Sequence, residues 1–166
     1  MTANDQVFVI QREYEAPRAL LWDCVSQPER MRQWWGPKGF KVVKSAMDLR
    51  PGGTYHYGLE TPDGAVMWGK FAYREIAPPE RVVFVNSFSD EAGGITRHPF
   101  NPAWPLQLLS SFTFDELAPS CSRFTVRWEP LNASGEERAA FAAGHESMNA
   151  GWGGTLDQLA AYLAAA

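Results

Sequence analysis

The sequence predicts an α+β fold: a strongly curved antiparallel sheet wrapped around a long C-terminal helix, with two short helices after the first strand. Two observations carry this prediction. Residues Ser134 to Leu163 place their apolar side chains at helical period, and most of the chain before them alternates at period two between breaks rich in Gly and Pro. The order of signals, one strand, two short helices, six further strands and a last helix, has one economical packing. A sheet that curls about a single helix need not close along its whole length, and the gap becomes a cavity.

Val7 to Glu15 alternates as a strand, with Phe8, Ile10, Arg12 and Tyr14 sharing one side. That side is the inward one, so Arg12 must be paired or sit near a rim. Pro17 suits the first turn of a helix, and Leu21, Trp22 and Val25 follow at helical spacing. Pro28 ends this helix and starts a second short turn through Trp35, in which Trp34 and Trp35 serve as anchors. Gly36-Pro37-Lys38-Gly39 then breaks the chain, and the period changes.

Strands are predicted at Phe40 to Leu49, Thr54 to Glu60, Val66 to Ile76, Val82 to Phe88, Leu106 to Glu116 and Arg123 to Glu129. The turns between them carry Pro51-Gly52-Gly53, Pro62-Asp63-Gly64, Pro78-Pro79 and Pro119. Ser89 to Pro105 is too broken by Gly and Pro for regular structure and exceeds the usual loop length, which predicts a lid or ligand-side loop.

Ser134 with Glu137 makes the capping-box pattern S-x-x-E at the start of the last helix. Its stripe comprises Phe141, His145, Met148, Trp152, Thr155, Leu156, Leu159 and Leu163. Gly144, Gly151, Gly153 and Gly154 each cost up to about 1 kcal/mol in a helix interior, so something must offset them. Gly144 and Gly151 share a shoulder of the stripe, where a missing side chain allows close approach or leaves room for a ligand. A break at Gly153-Gly154 into two shorter helices is the alternative.

Composition narrows the function classes. The 166 residues read as a single domain, 1-166, large enough for a hollow core. Seven Trp, ten Phe and five Tyr supply material for an apolar pocket as well as for packing. A net charge of -4 without a basic block argues against nucleic acid or an anionic membrane as the main partner. No apolar run reaches the roughly 18 residues of a membrane span. Cys24 and Cys121 have no metal spacing and MTANDQ has no leader pattern, which reads as a reduced cytoplasmic protein.

The runs REYEAPRALLWDCVSQPERMRQWWGPKGF, RPGGTYHY, GKFAYREIAPPERVVFV and GHESMNAGWGGTLDQLAAYL extend the reading. Together they resemble the AHSA-like (activator of 90-kDa heat-shock-protein ATPase homologue-like) branch of the SRPBCC, or START/Bet v 1-like, superfamily. The most specific pieces are Ala16-Pro17 followed by Trp22, Trp34-Trp35-Gly36-Pro37, Pro78-Pro79-Glu80-Arg81 and Gly151-Trp152. The resemblance implies the helix-grip fold, with a cavity between sheet and last helix. It implies no shared set of catalytic residues.

No phosphate-cradling glycine motif, nucleophile elbow or His/Cys metal spacing is present, so neither cofactor nor metal is expected. A hydrophobic or aromatic small molecule explains more. Trp152 and Met148 on the helix with Tyr55, Tyr57, Trp68 and Phe71 from the strands would make an apolar wall, and His145, His56 or Arg12 would supply orienting polar groups. Strand parity leaves open whether Tyr55 and Tyr57 or His56 looks inward. His145 reads either as a hydrogen-bonded core histidine or as a ligand-contacting or catalytic one. Two other functions compete: a cyclase- or hydrolase-type enzyme using His145, and a cochaperone-like interaction module. A chaperone partner is the weaker expectation, since no chaperone-binding domain of the eukaryotic type precedes this one. A homodimer is permitted, but nothing in the sequence locates an interface.

Overall fold

The computed structural model describes residues 7–165. The leader reading of MTANDQ lies outside the described residues. The elements in chain order are β1 (Phe8–Tyr14), α1 (Arg18–Ser26), α2 (Pro28–Met31), β2 (Lys41–Met47), β3 (Thr54–Glu60), β4 (Val66–Ala77), β5 (Arg81–Ser89), β6 (Ile95–Thr96), β7 (Leu108–Ala118), β8 (Cys121–Pro130), α3 (Gly135–Ala143) and α4 (His145–Ala165). The strands form one antiparallel sheet in the order β1-β8-β7-β5-β4-β3-β2, with β6 on β5. The sheet is curved and unclosed, and α1 and α2 join its two edge strands along the chain.

Alternation decides the inner face. On β1 the residues Phe8, Ile10, Arg12 and Tyr14 lie opposite Trp128, Val126, Phe124 and Ser122 of β8. These partners continue through Ser110, Phe112 and Phe114 of β7 to Phe84 of β5 and Phe71 of β4. The result is an aromatic core in which Phe71 and Phe84 stack at 4.0 Å and Phe112, Phe114 and Phe124 meet edge to face. Tyr55 and Tyr57 face inward, and His56 takes the outer face, stacked on Trp68 at 5.2 Å.

Arg12 finds its partner in Asp157 of α4 at the rim of the sheet. The same helix is held at both edges. The Tyr14 hydroxyl donates to the Leu156 carbonyl at 2.8 Å, and Gln158 donates to the Trp34 carbonyl at 3.3 Å and to that of Gly36. Trp34 is fully buried and gives its indole N–H to the Cys24 carbonyl at 3.0 Å, so it does anchor α2 to α1.

Two sequence expectations need correction. The C-terminal helix is interrupted at Gly144, and Gly153-Gly154 stay helical. The reason is tertiary: a Cβ on Gly144 would lie 2.9 Å from Cζ3 of Trp104, a side chain from the 89–105 segment. That segment also holds a two-residue strand. β7 leaves β5 at Asn86, and β6 takes up the freed edge at Phe88 and Ser89.

Candidate functional site

A cavity of about 620 Å³ lies between the inner face of the sheet, α4 and the 89–105 segment. Its size falls in the range of roughly 300–1,000 Å³ that holds small molecules, far above the water-sized voids of a packed core. Five parts of the chain build its walls.

The first wall is one shoulder of α4. At roughly 100° per residue, Gly144, Ser147, Gly151 and Thr155 lie to one side of the buried stripe, with Met148 and Trp152 between them and its centre. All six border the cavity. A Cβ on Gly151 would meet no heavy atom within 4 Å, so this glycine leaves open space. Gly144 does the reverse and is filled by Trp104.

The second and third walls are the sheet and the turn after α2. Tyr57 leans across β4, where a Cβ on Gly69 would lie 2.3 Å from its hydroxyl oxygen. Asn86 and Phe88 on β5, Leu108 on β7 and Trp128 on β8 extend that surface. Trp35 stands between sheet and helix, its ring 5.6 Å from Tyr57 and 5.4 Å from both Phe71 and Trp152. It was expected only to anchor α2; the T-shaped contacts make it a cavity wall.

The fourth wall is the 89–105 segment with its continuation to Leu106, which contributes His98, Asn101, Trp104, Pro105 and Leu106. Its base is held from the outer sheet face, where His56 Nε2 donates to the Asp90 carbonyl at 3.0 Å and Lys70 to that of Gly93 at 3.0 Å. Its far end is held by α3. Arg97 pairs with Glu137 at 2.5 Å and donates to the Trp104 carbonyl at 3.3 Å, and Trp104 packs on Phe141 at 5.4 Å. Glu137 also closes the capping box, its other carboxylate oxygen accepting from the Ser134 N–H at 2.9 Å. That backbone hydrogen bond first, and Arg97 second, hold the carboxyl at about 2. The fifth part is α3 itself, through Ala140 and Ala143.

Electrostatically the site is uncharged. Burial keeps the phenols of Tyr55 and Tyr57 well above their ordinary range, so both stay protonated. His98 accepts the backbone N–H groups of Phe100 and Asn101 on Nδ1 at 3.0 and 3.1 Å, and burial lowers its pKa. It is therefore the neutral imidazole with its proton on Nε2.

Of the residues singled out in the sequence, Trp152, Met148, Tyr57 and Trp68 border this cavity. Trp68 does so from the sheet margin, since its register partner is Gly58 and its ring stacks on His56 beneath Lys44. Tyr55 and Phe71 lie one layer deeper as fully buried core. Arg12 is at the opposite edge with Asp157. His145 lies on the far shoulder of α4, against Phe8 at 5.8 Å and Phe141 at 5.3 Å, and borders only a shallow hollow beside β1. Its Nε2 is buried with no hydrogen-bond partner among the described residues. A cyclase- or hydrolase-type reaction built on His145 in the cavity therefore lacks its general base.

Asn86, His98, Trp104 and Trp128 were missed. Asn86 had a signal: it follows Val82 and Phe84 at the same parity, a polar residue in an inward apolar series. Among the described residues no group of three or more His, Cys, Asp or Glu could hold a metal ion, and no helix is long and apolar enough to cross a membrane.

An unclosed antiparallel sheet gripping a C-terminal helix, with a cavity between them, defines a helix-grip protein of the SRPBCC superfamily. Within it the chain belongs to the family described as Activator of Hsp90 ATPase homolog 1-like protein, whose profile matches residues 15–164. A solution structure from Arthrobacter aurescens superposes with a TM-score of 0.81 at 22% identity, covering 100% of this chain and 90% of that one. A crystal structure from Mycobacterium smegmatis gives 0.76 at 24% identity, covering 98% and 93%. The AHSA1 protein of Silicibacter pomeroyi gives 0.72 at 22%, covering 95% and 97%. At such identities these likenesses concern the fold. No curated protein matches the sequence.

Proposed function

We propose that the protein is a binding protein for a hydrophobic or aromatic small molecule, held between the sheet and α4. The observation that carries this is a cavity of about 620 Å³ walled mostly by apolar and aromatic side chains, beside which Gly151 leaves open space. The aromatic walls of Trp35, Tyr57, Trp128 and Trp152 suit a ligand with ring surface.

Native mass spectrometry of the freshly purified protein, followed by denaturation and identification of what is released, tests the reading. The expected result is a stoichiometric apolar adduct in the wild type that is absent from Gly151→Leu, whose side chain fills the space. An adduct equally abundant in both would place the ligand elsewhere and refute this site.

A further inference from the structure

The residues that border the cavity include no Asp, Glu, Lys or Arg. A carboxylate or ammonium carried into that space would lose its water without gaining a counter-ion, which costs several kcal/mol. The polar groups that do border it are unevenly matched, because the amide, imidazole and Gly151 carbonyl acceptors already hold a hydrogen bond. Asn86 Oδ1 takes the Ser110 hydroxyl at 2.7 Å, and Asn101 Oδ1 takes the Ala103 N–H at 3.2 Å. His98 Nδ1 takes two backbone N–H groups, and the Gly151 carbonyl takes the Thr155 hydroxyl at 3.0 Å.

What remains is mostly donors. The amide nitrogens of Asn86 and Asn101 and the Nε2–H of His98 make no hydrogen bond among the described residues. The indole nitrogen of Trp128 is buried with no partner among the described residues, while that of Trp35 is directed at the Tyr57 hydroxyl. A donor that a bound ligand covers and leaves unmet costs about 1–3 kcal/mol, which an oxygen on that ligand relieves. The hydroxyls of Ser87 and Ser147 can serve either way, the Tyr57 hydroxyl that takes the Trp35 N–H keeps its proton to donate, and Thr155, whose proton goes to the Gly151 carbonyl, offers an acceptor.

The geometry points to an uncharged aromatic ligand that brings its own hydrogen-bond acceptors, a ketone, quinone-like or ether oxygen, and not to a fatty acid, an amine or a phosphorylated compound. This rests on the binding reading above and narrows it. A donor-lined, charge-free pocket discriminates by the lone pairs of the ligand: the acceptor is rewarded, and the anion is rejected for want of a cation.

Calorimetric titration of the whole protein at neutral pH with three probes of one shape tests this: fluorene, 9-fluorenone and 9-oxofluorene-4-carboxylate. We expect fluorenone to bind roughly five- to tenfold tighter than fluorene, the worth of about one hydrogen bond. The carboxylate should bind at least about tenfold more weakly than fluorenone. The infrared carbonyl band of bound fluorenone should shift to lower frequency than in hexane. Equal affinities of fluorene and fluorenone, with an unshifted carbonyl, would overturn the inference while leaving the binding reading standing. Tightest binding by the carboxylate would overturn its charge-free half. Failure of all three probes to bind would remove the binding reading and this inference together.

Discussion

Gly151→Ala adds one methyl group to α4 at a point where an ideal Cβ has no heavy atom within 4 Å, so packing neither gains nor loses. What changes is the helix: replacing Gly by Ala in a helix interior stabilises it by about 0.8–1.0 kcal/mol, through the freedom Gly loses on folding. For a chain of this length, one kcal/mol raises the melting temperature by roughly 2–4 °C. Gly153→Ala is the matched control, because its Cβ also meets nothing and it does not border the cavity. Scanning calorimetry should find both variants stabilised by similar amounts. Gly144→Ala should instead lose stability, since its Cβ would lie 2.9 Å from the Trp104 ring. Measured on protein freed of any ligand by denaturation and refolding, a Gly151→Ala variant that melts below wild type while Gly153→Ala melts above it would refute the reasoning, for the protein's own side chains would then fill the space beside Gly151.

Glu137 and His98 both titrate below their ordinary values, so each loses stability with falling pH and gives a pH signature. The Glu137 carboxyl is depressed to about 2, so its stabilisation is complete above the ordinary carboxylate range and is lost as pH falls from there through about 2. Glu137→Gln should therefore be less stable than wild type at neutral pH by roughly 0.5–2 kcal/mol, the worth of a helix cap, and denaturant midpoints of the two should converge toward pH 2. Identical midpoints at pH 7 would show that neither cap nor Arg97 depends on the charge. His98 is depressed by burial, so protonation opposes the folded arrangement as pH falls below the ordinary histidine value of about 6.5. Hydrogen exchange at the Phe100 and Asn101 amides, corrected for its intrinsic pH dependence, should then show protection falling with acidity, because protonated Nδ1 no longer accepts their N–H groups. Constant protection down to pH 5 would refute that assignment of the ring.

The parts of this molecule that local chemistry governs were legible in the sequence. The capping box at Ser134 and Glu137 depends on residues three apart, and it is present. The alternation of β1 put Arg12 on the inner face and demanded a partner, which is Asp157. The misreadings concern contacts between distant segments. Nothing near Gly144 states that Trp104, forty residues earlier, will lie against it, so the stretch reads as one helix with a break at Gly153-Gly154 as the alternative. The wheel put His145 on the buried stripe, but a stripe has two shoulders, and only the three-dimensional position of β1 shows that the His145 shoulder faces away from the cavity. Trp35 and Trp34 are neighbours in the chain with different duties, and no pattern in the sequence separates them.

The open edges of the sheet differ in what they present to other molecules. β2 is broken by a bulge between Val42 and Lys44 and carries Lys41 and Lys44, so an incoming strand meets an interrupted ladder and positive charge. β1 is regular over all seven of its residues and leaves Val9 half exposed. Unwanted sheet extension between copies at high concentration has its easier template in β1. Val9→Lys, which keeps every inward contact of that strand, is the single change best suited to blunt it.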